Sequence, residues 1–221
     1  MKRIFYNALA GLILSASLFA QEQEEFKPEL AVGGSFGTTF SSIGFSPKVQ
    51  QGMLMGYTGG VTVRYNTEKS VGLQAEINYV QQGWKEQFKE NPQYAYSRVI
   101  NYVELPIMTH IYTGGKRAKF IFNVGPKFGY ELNENTDSNL GTATPNSAND
   151  QHNMAVEKKL DWGLCGGPGM EISTGIGYFI LEGRYYCALG NIFSSRKEDP
   201  FAQSSSKVLS LKLTYLLPVF K

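Results

Sequence analysis

MLMGYTGGVTVRYNTEKSVGLQAEINYVQQ, Met53 to Gln82, decides the fold. Odd positions of its first half read Met53, Met55, Tyr57, Gly59, Val61, Val63, Tyr65, and even ones Leu54, Gly56, Thr58, Gly60, Thr62, Arg64. After Asn66 to Ser70 the alternation resumes, with Val71, Leu73, Ala75, Ile77 and Tyr79 against Gly72, Gln74, Glu76 and Asn78. A period of two marks β-strands, and two such runs around a short polar turn make a hairpin. One face is apolar throughout, while the other mixes glycine, amides and full charges. A soluble sheet would carry Lys, Glu and Thr on its wet face. A glycine-laden polar face fits inside something narrow, so the apolar face is expected to look outward to lipid.

Working outward, the same alternation predicts eight strands: Glu29–Thr39, Met53–Tyr65, Val71–Gln82, Arg98–Tyr112, Ala118–Leu132, Leu160–Ile172, Tyr178–Leu189 and Val208–Leu217. Their connections run 13, 5, 15, 5, 27, 5 and 18 residues. Long loops at one rim and short turns at the other are the pattern of an outer-membrane barrel. A 12-residue strand rising about 3.3 Å per residue and tilted about 40° covers roughly 30 Å, enough for the apolar band. The fold class is therefore all-β, a closed eight-stranded antiparallel transmembrane up-and-down β-barrel preceded by a signal peptide.

In this register every charge within the eight strands faces inward. The acids are Glu29, Glu76, Glu104, Glu131, Asp161, Glu171 and Glu182, and the bases Arg64, Arg98, Lys119, Lys127, Arg184 and Lys212. A Lys or Arg facing lipid at mid-bilayer would cost about 2–4 kcal/mol. Eight strands leave an interior about wide enough for side chains, so a filled lumen is favoured over a channel. The expected lumen cluster is Glu76, Glu104, Glu182, Arg184 and Lys212. Centring the loop Gly83–Ser97 on residue 90 places Glu76 opposite Glu104, with Arg184, helped by Lys212, crossing from the far wall to hold both. Pro126 lacks a ladder donor and is expected to mark a bulge. The glycines of Gly163 to Gly169 are read as easing curvature, since no strand-to-helix pattern makes them a phosphate loop.

Composition is consistent with this. The chain has 221 residues, 24 Gly, 13 Tyr, 14 Phe and a net charge of +2, which gives no case for nucleic acid. Mean hydropathy is slightly negative. Beyond the N-terminus there is no apolar run of about 18 residues, hence no spanning helix, a test that barrels escape. Met1 to Ala20 reads as a secretory signal: Lys2 and Arg3, an apolar stretch, then Ala20 before Gln21. Residues 21–28 form a short periplasmic tether, and 29–217 the barrel domain. Cys165 and Cys187 fall on opposite faces and are expected as free thiols.

An export signal together with GLQAEINYVQQGW (Gly72–Trp84), NYVELPIM (Asn101–Met108), NVGPKFGY (Asn123–Tyr130) and LEGRYYCALGNIF (Leu181–Phe193) resembles the PorT-like outer-membrane β-barrel proteins of Gram-negative bacteria. The likeness runs from about Glu29 to the C-terminus, with Glu104-Leu105-Pro106 and Gly125-Pro126 similar to the family's marks. It implies an outer-membrane location and a barrel fold more than a task. The family takes its name from an accessory of protein secretion by the type IX route. The role expected here is structural or partner-binding, with such an accessory role as its finer form.

No catalytic, metal or cofactor site is expected. Ser147 and Asp150 lie near His152, but in the long polar loop 133–159 with no motif to hold them, and that loop is expected to be exposed, mobile and dispensable. The expected partners are outer-membrane lipid and a protein met through the extracellular loops, around a monomeric barrel. A lipid-modifying barrel enzyme, a small pore and a soluble barrel of opposite register are the alternatives.

Overall fold

The computed structural model describes residues 27–145 and 150–220. The signal sequence Met1–Ala20, Gln21 to Phe26 of the tether and Ser147 lie outside the described residues. The elements are β1 (Glu29–Ser46), β2 (Gln51–Gly52), β3 (Leu54–Glu68), β4 (Val71–Glu86), β5 (Tyr96–Gly114), β6 (Ala118–Ser138), β7 (Leu160–Thr174), β8 (Gly177–Ala188) and β9 (Gln203–Phe220), with one 3-10 turn at Asp150–His152.

Eight long strands form a ring in the order β4-β3-β1-β9-β8-β7-β6-β5, and pairing of β4 with β5 closes it. Every neighbour is antiparallel. The two-residue β2 pairs only with the end of β4, Gln51 opposite Glu86 and Gly52 opposite Lys85. Closure leaves no edge over the span that must lie in hydrocarbon, where an unpaired backbone group would cost several kcal/mol.

The side chains sort as the alternation requires. Ile77 is 62% exposed and Leu211 52%, while Glu76, Arg64 and Lys212 are almost wholly buried. The soluble alternative needs the opposite register and is excluded. Tyr65, Phe120 and Phe179 face outward near the short-turn rim, with Tyr57, Tyr130 and Trp162 near the other, as in an aromatic girdle. Inward glycines let the wall bend. A Cβ on Gly167 would stand 1.9 Å from the Gly183 carbonyl oxygen, and one on Gly33 would stand 1.8 Å from that of Tyr215. Only a bare Cα tolerates such an approach.

Two expectations need correction. Pro126 lies in continuous register with Leu164 and makes no bulge. The slip instead falls at Asn101/Tyr102, where Asn101 pairs with Asn133 and Tyr102 with Glu131, leaving Leu132 as the extra residue. The strands also run further than their apolar alternation at the loop rim, β6 by six residues to Ser138 and β1 by seven to Ser46. On the matching extensions of β4 and β9 the charge rule ends: Lys85 and Lys207 are exposed on the outer wall.

Candidate functional site

The lumen is built in tiers. β8 carries Glu182 and Arg184 two residues apart, so both point inward. The guanidinium holds Glu182, Nε donating to Oε1 at 3.1 Å and Nη2 to Oε2 at 2.8 Å. It then crosses the lumen, since β8 and β4 stand half a circumference apart. There it grips Glu76 with both Nη atoms, at 3.0 and 2.9 Å. A planar fork meeting two carboxylates is the geometry for which arginine is suited. Lys212, paired with Glu182 across β8 and β9, adds its Nζ to Glu76 at 2.6 Å. Gln74 and Asn78 donate to the same carboxylate at 2.7 and 2.8 Å. Two carboxylates face two cations, so the central tier is balanced.

Glu104 does not join this set. The register Ala75↔Ile107 and Asn78↔Glu104 puts Asn78, not Glu76, opposite Glu104. The strands around this loop end at Glu86 and Tyr96 rather than symmetrically about residue 90, which shifts the pairing by two. Glu104 takes Lys127 instead, at 2.5 Å, and the Lys127 ammonium lies 3.4 Å from the centre of the Tyr186 ring. Toward the short turns a third tier joins Arg64 to Glu171 at 2.5 Å and Lys119 to Glu171 at 3.1 Å. His110 sits beside it, its Nδ1 2.7 Å from Asn123. Between the central tier and Lys127 the free space is about 30 Å³, room for about one or two waters.

Above the tiers is a feature the sequence reading missed. Trp84 is 0% exposed, at the centre of an apolar core with Phe45, Tyr96, Ile100, Phe193 and Phe201 among its members. Each of the four long connections contributes: Val49 from the first, Phe88 from the second, Leu140 and Val156 from the third, Ile192, Phe193 and Phe201 from the fourth. Phe45 meets Trp84 edge-on at 5.4 Å, and Phe193 does so at 6.3 Å. The third connection is also tied by polar contacts. Gln151 donates to Glu86 at 2.8 Å, His152 Nε2 lies 2.9 Å from the same oxygen, and Arg98 donates to the Met154 carbonyl at 2.5 Å. The described residues of loop 133–159 are mostly exposed, as expected, but the segment is anchored at several points. Its first six residues belong to β6, and Leu140, Gln151 and Val156 are buried in the lid. Aromatic spacing in the loops was the available signal, but a loop has no period to interpret it by.

Asp150 is exposed and makes no part of the His152 pair. Among the described residues no group of three His, Cys, Asp or Glu is placed to hold a metal ion. Cys165 and Cys187 are free thiols.

A family profile described as outer membrane protein beta-barrel domain matches residues 19–194. Among solved structures, OprG from Pseudomonas aeruginosa aligns at a TM-score of 0.49 and 12% identity, covering 85% of this chain and 93% of that one. Ail of Yersinia pestis aligns at 0.44 and 11%, covering 86% and 99%. Outer membrane protein W of E. coli aligns at 0.38 and 13%, covering 87% and 100%. No curated protein matches the sequence.

Proposed function

Since the chain belongs to the outer membrane protein beta-barrel domain family, and so to the outer membrane of a Gram-negative bacterium, we propose that it is a monomeric, partner-binding barrel. One observation carries this: all four long connections converge on a single apolar lid above a lumen filled by ion pairs. Loops fixed in one arrangement present a preorganised surface, and a partner that meets it is spared the cost of ordering them. The finer reading is an accessory to protein secretion of the PorT-like kind. It is supported by Glu104-Leu105-Pro106 and Gly125-Pro126, the marks of that resemblance.

The role is not enzymatic. The His152 imidazole is committed to Glu86 within the lid rather than to a nucleophile. Hydrolysis of a lipid analogue that depends on His152 would contradict this.

Affinity purification from outer membranes tests the proposal. A secretion-machinery protein should be retained by the wild-type barrel and lost when Phe193→Ala and Phe201→Ala loosen the lid. Discrete single-channel conductance of the purified barrel in planar bilayers would overturn the reading in favour of a pore.

A further inference from the structure

The barrel wall is notched at the loop rim. β1 pairs with β3 only as far as Ser41↔Leu54, yet it continues to Ser46 against β9. The chain between leaves β1, and its two-residue strand joins β4 instead. Above Ser41 the wall is therefore parted between β1 and β2. The Gln51 side chain bridges the gap, its Oε1 accepting from the Ile43 amide at 3.0 Å and its Nε2 donating to the Ile43 carbonyl. A side-chain amide here stands in for a strand partner.

Outside the gap lie two adjoining hollows. The first, about 460 Å³, has Gly44 and Gly52 in its lining, Lys48 and Lys207 at its sides and Met53 among its apolar residues. The second, about 430 Å³, lies between Lys48 and Lys89 among three glutamines. Lys48 belongs to both, so three ammonium groups border one continuous recess, and no carboxylate lines either hollow. None of the three lysines is ion-paired to another described residue. A fourth, Lys85, is exposed on the outer wall at the level of Gly52. Met53 at 66% exposure and Met55 begin the lipid-facing band immediately below. The recess thus sits where acyl chains give way to headgroups.

We propose that this notch binds the phosphate groups of an anionic glycolipid of the outer leaflet. Its acyl chains lie along Met53 and Met55, and its phosphates lie between Lys48, Lys89 and Lys207. Clustered lysines at a membrane surface attract anionic headgroups additively, and the apolar band beside them selects a lipid over a free anion. The proposal rests on the outer-membrane location and not on the secretion role.

The test measures retention of bis-phosphorylated lipid A by the full-length barrel in phosphatidylcholine nanodiscs. Wild type should bind it with an affinity about 100-fold above that of the Lys48→Gln, Lys89→Gln, Lys207→Gln variant. The matching Lys→Arg variant should retain binding, and Lys69→Gln with Lys116→Gln at the opposite rim should leave it unchanged. Wild type should also bind dephosphorylated lipid A far more weakly, a comparison that needs no variant to fold. Equal affinity for the two lipids, unchanged affinity in the triple Gln variant, or displacement by inorganic phosphate would overturn the proposal.

Discussion

Strand β4 passes through two opposite environments. In its lower part Glu76 and Asn78 point into the barrel and Ile77 and Tyr79 point out; eight residues above Glu76, Trp84 points in and Lys85 points out. The same polypeptide with the same alternation changes from polar-in to apolar-in along its length. In the lower region the surroundings are hydrocarbon, so the charges withdraw inside and must pair there. In the upper region the surroundings are water, and the ordinary rule returns, with aromatics in the core and lysines on the wall. The level of the switch marks the top of the bilayer. Along β4 the interior thus passes from a core wired by ion pairs to one packed by rings, while smaller apolar clusters, such as Ile121, Ile180 and Leu216 at the short-turn rim, fill in around the ion pairs.

The strongest way to break that comparison is at the lower core. Arg184→Leu strands Glu182 and leaves Lys212 as the one cation on Glu76, beside the amides of Gln74 and Asn78, which should cost about 3–5 kcal/mol. Urea unfolding from lipid vesicles measures it. In double-mutant cycles Arg184 should couple strongly to Glu76 and weakly to Glu104, which belongs to Lys127. Equal coupling to both would mean that the tiers are one network.

At the upper core, Trp84→Ala should cost about 3–5 kcal/mol of lid stability, the usual loss for a buried large aromatic. Its signature differs: added protease should cut residues 139–159 in intact cells while the barrel keeps its heat-resistant migration. Loss of barrel folding would show that the two cores are one cooperative unit.

Outward positions sharpen the boundary. Ile77→Arg should cost about 2–4 kcal/mol in bilayer folding, whereas Lys85→Leu on the same face, above the switch, should leave folding unchanged. The smallest effect belongs to the latch. His152→Ala removes one partner of a buried carboxylate and should cost about 1–3 kcal/mol, read as faster amide exchange in the third connection.

The legibility of the two regions differs for the same physical reason. The lower region could be read because lipid enforces a strict alternation, and Ile77 against Glu76 leaves one permissible register. The meeting of Arg184 with Glu76 followed from depth and ring closure. The pairing of Glu104 did not, because a shift of two residues preserves every inward and outward assignment. In the upper part of β4 the alternation persists but its meaning reverses, so a rule of apolar-out ended β1 at Thr39 and β6 at Leu132, short of their actual ends. The lid was illegible because Val49, Phe88, Val156 and Phe193 come from four separate connections that only the closed ring brings together.

Lipid and water exposure of single spin labels along the outward face of β4 tests the two-core account most directly. Labels at Leu73, Ile77 and Tyr79 should be quenched by oxygen dissolved in the bilayer and spared by an aqueous nickel chelate. A label at Lys85 should show the reverse. Aqueous access at Ile77, or lipid burial at Lys85, would contradict the inversion on which the account stands.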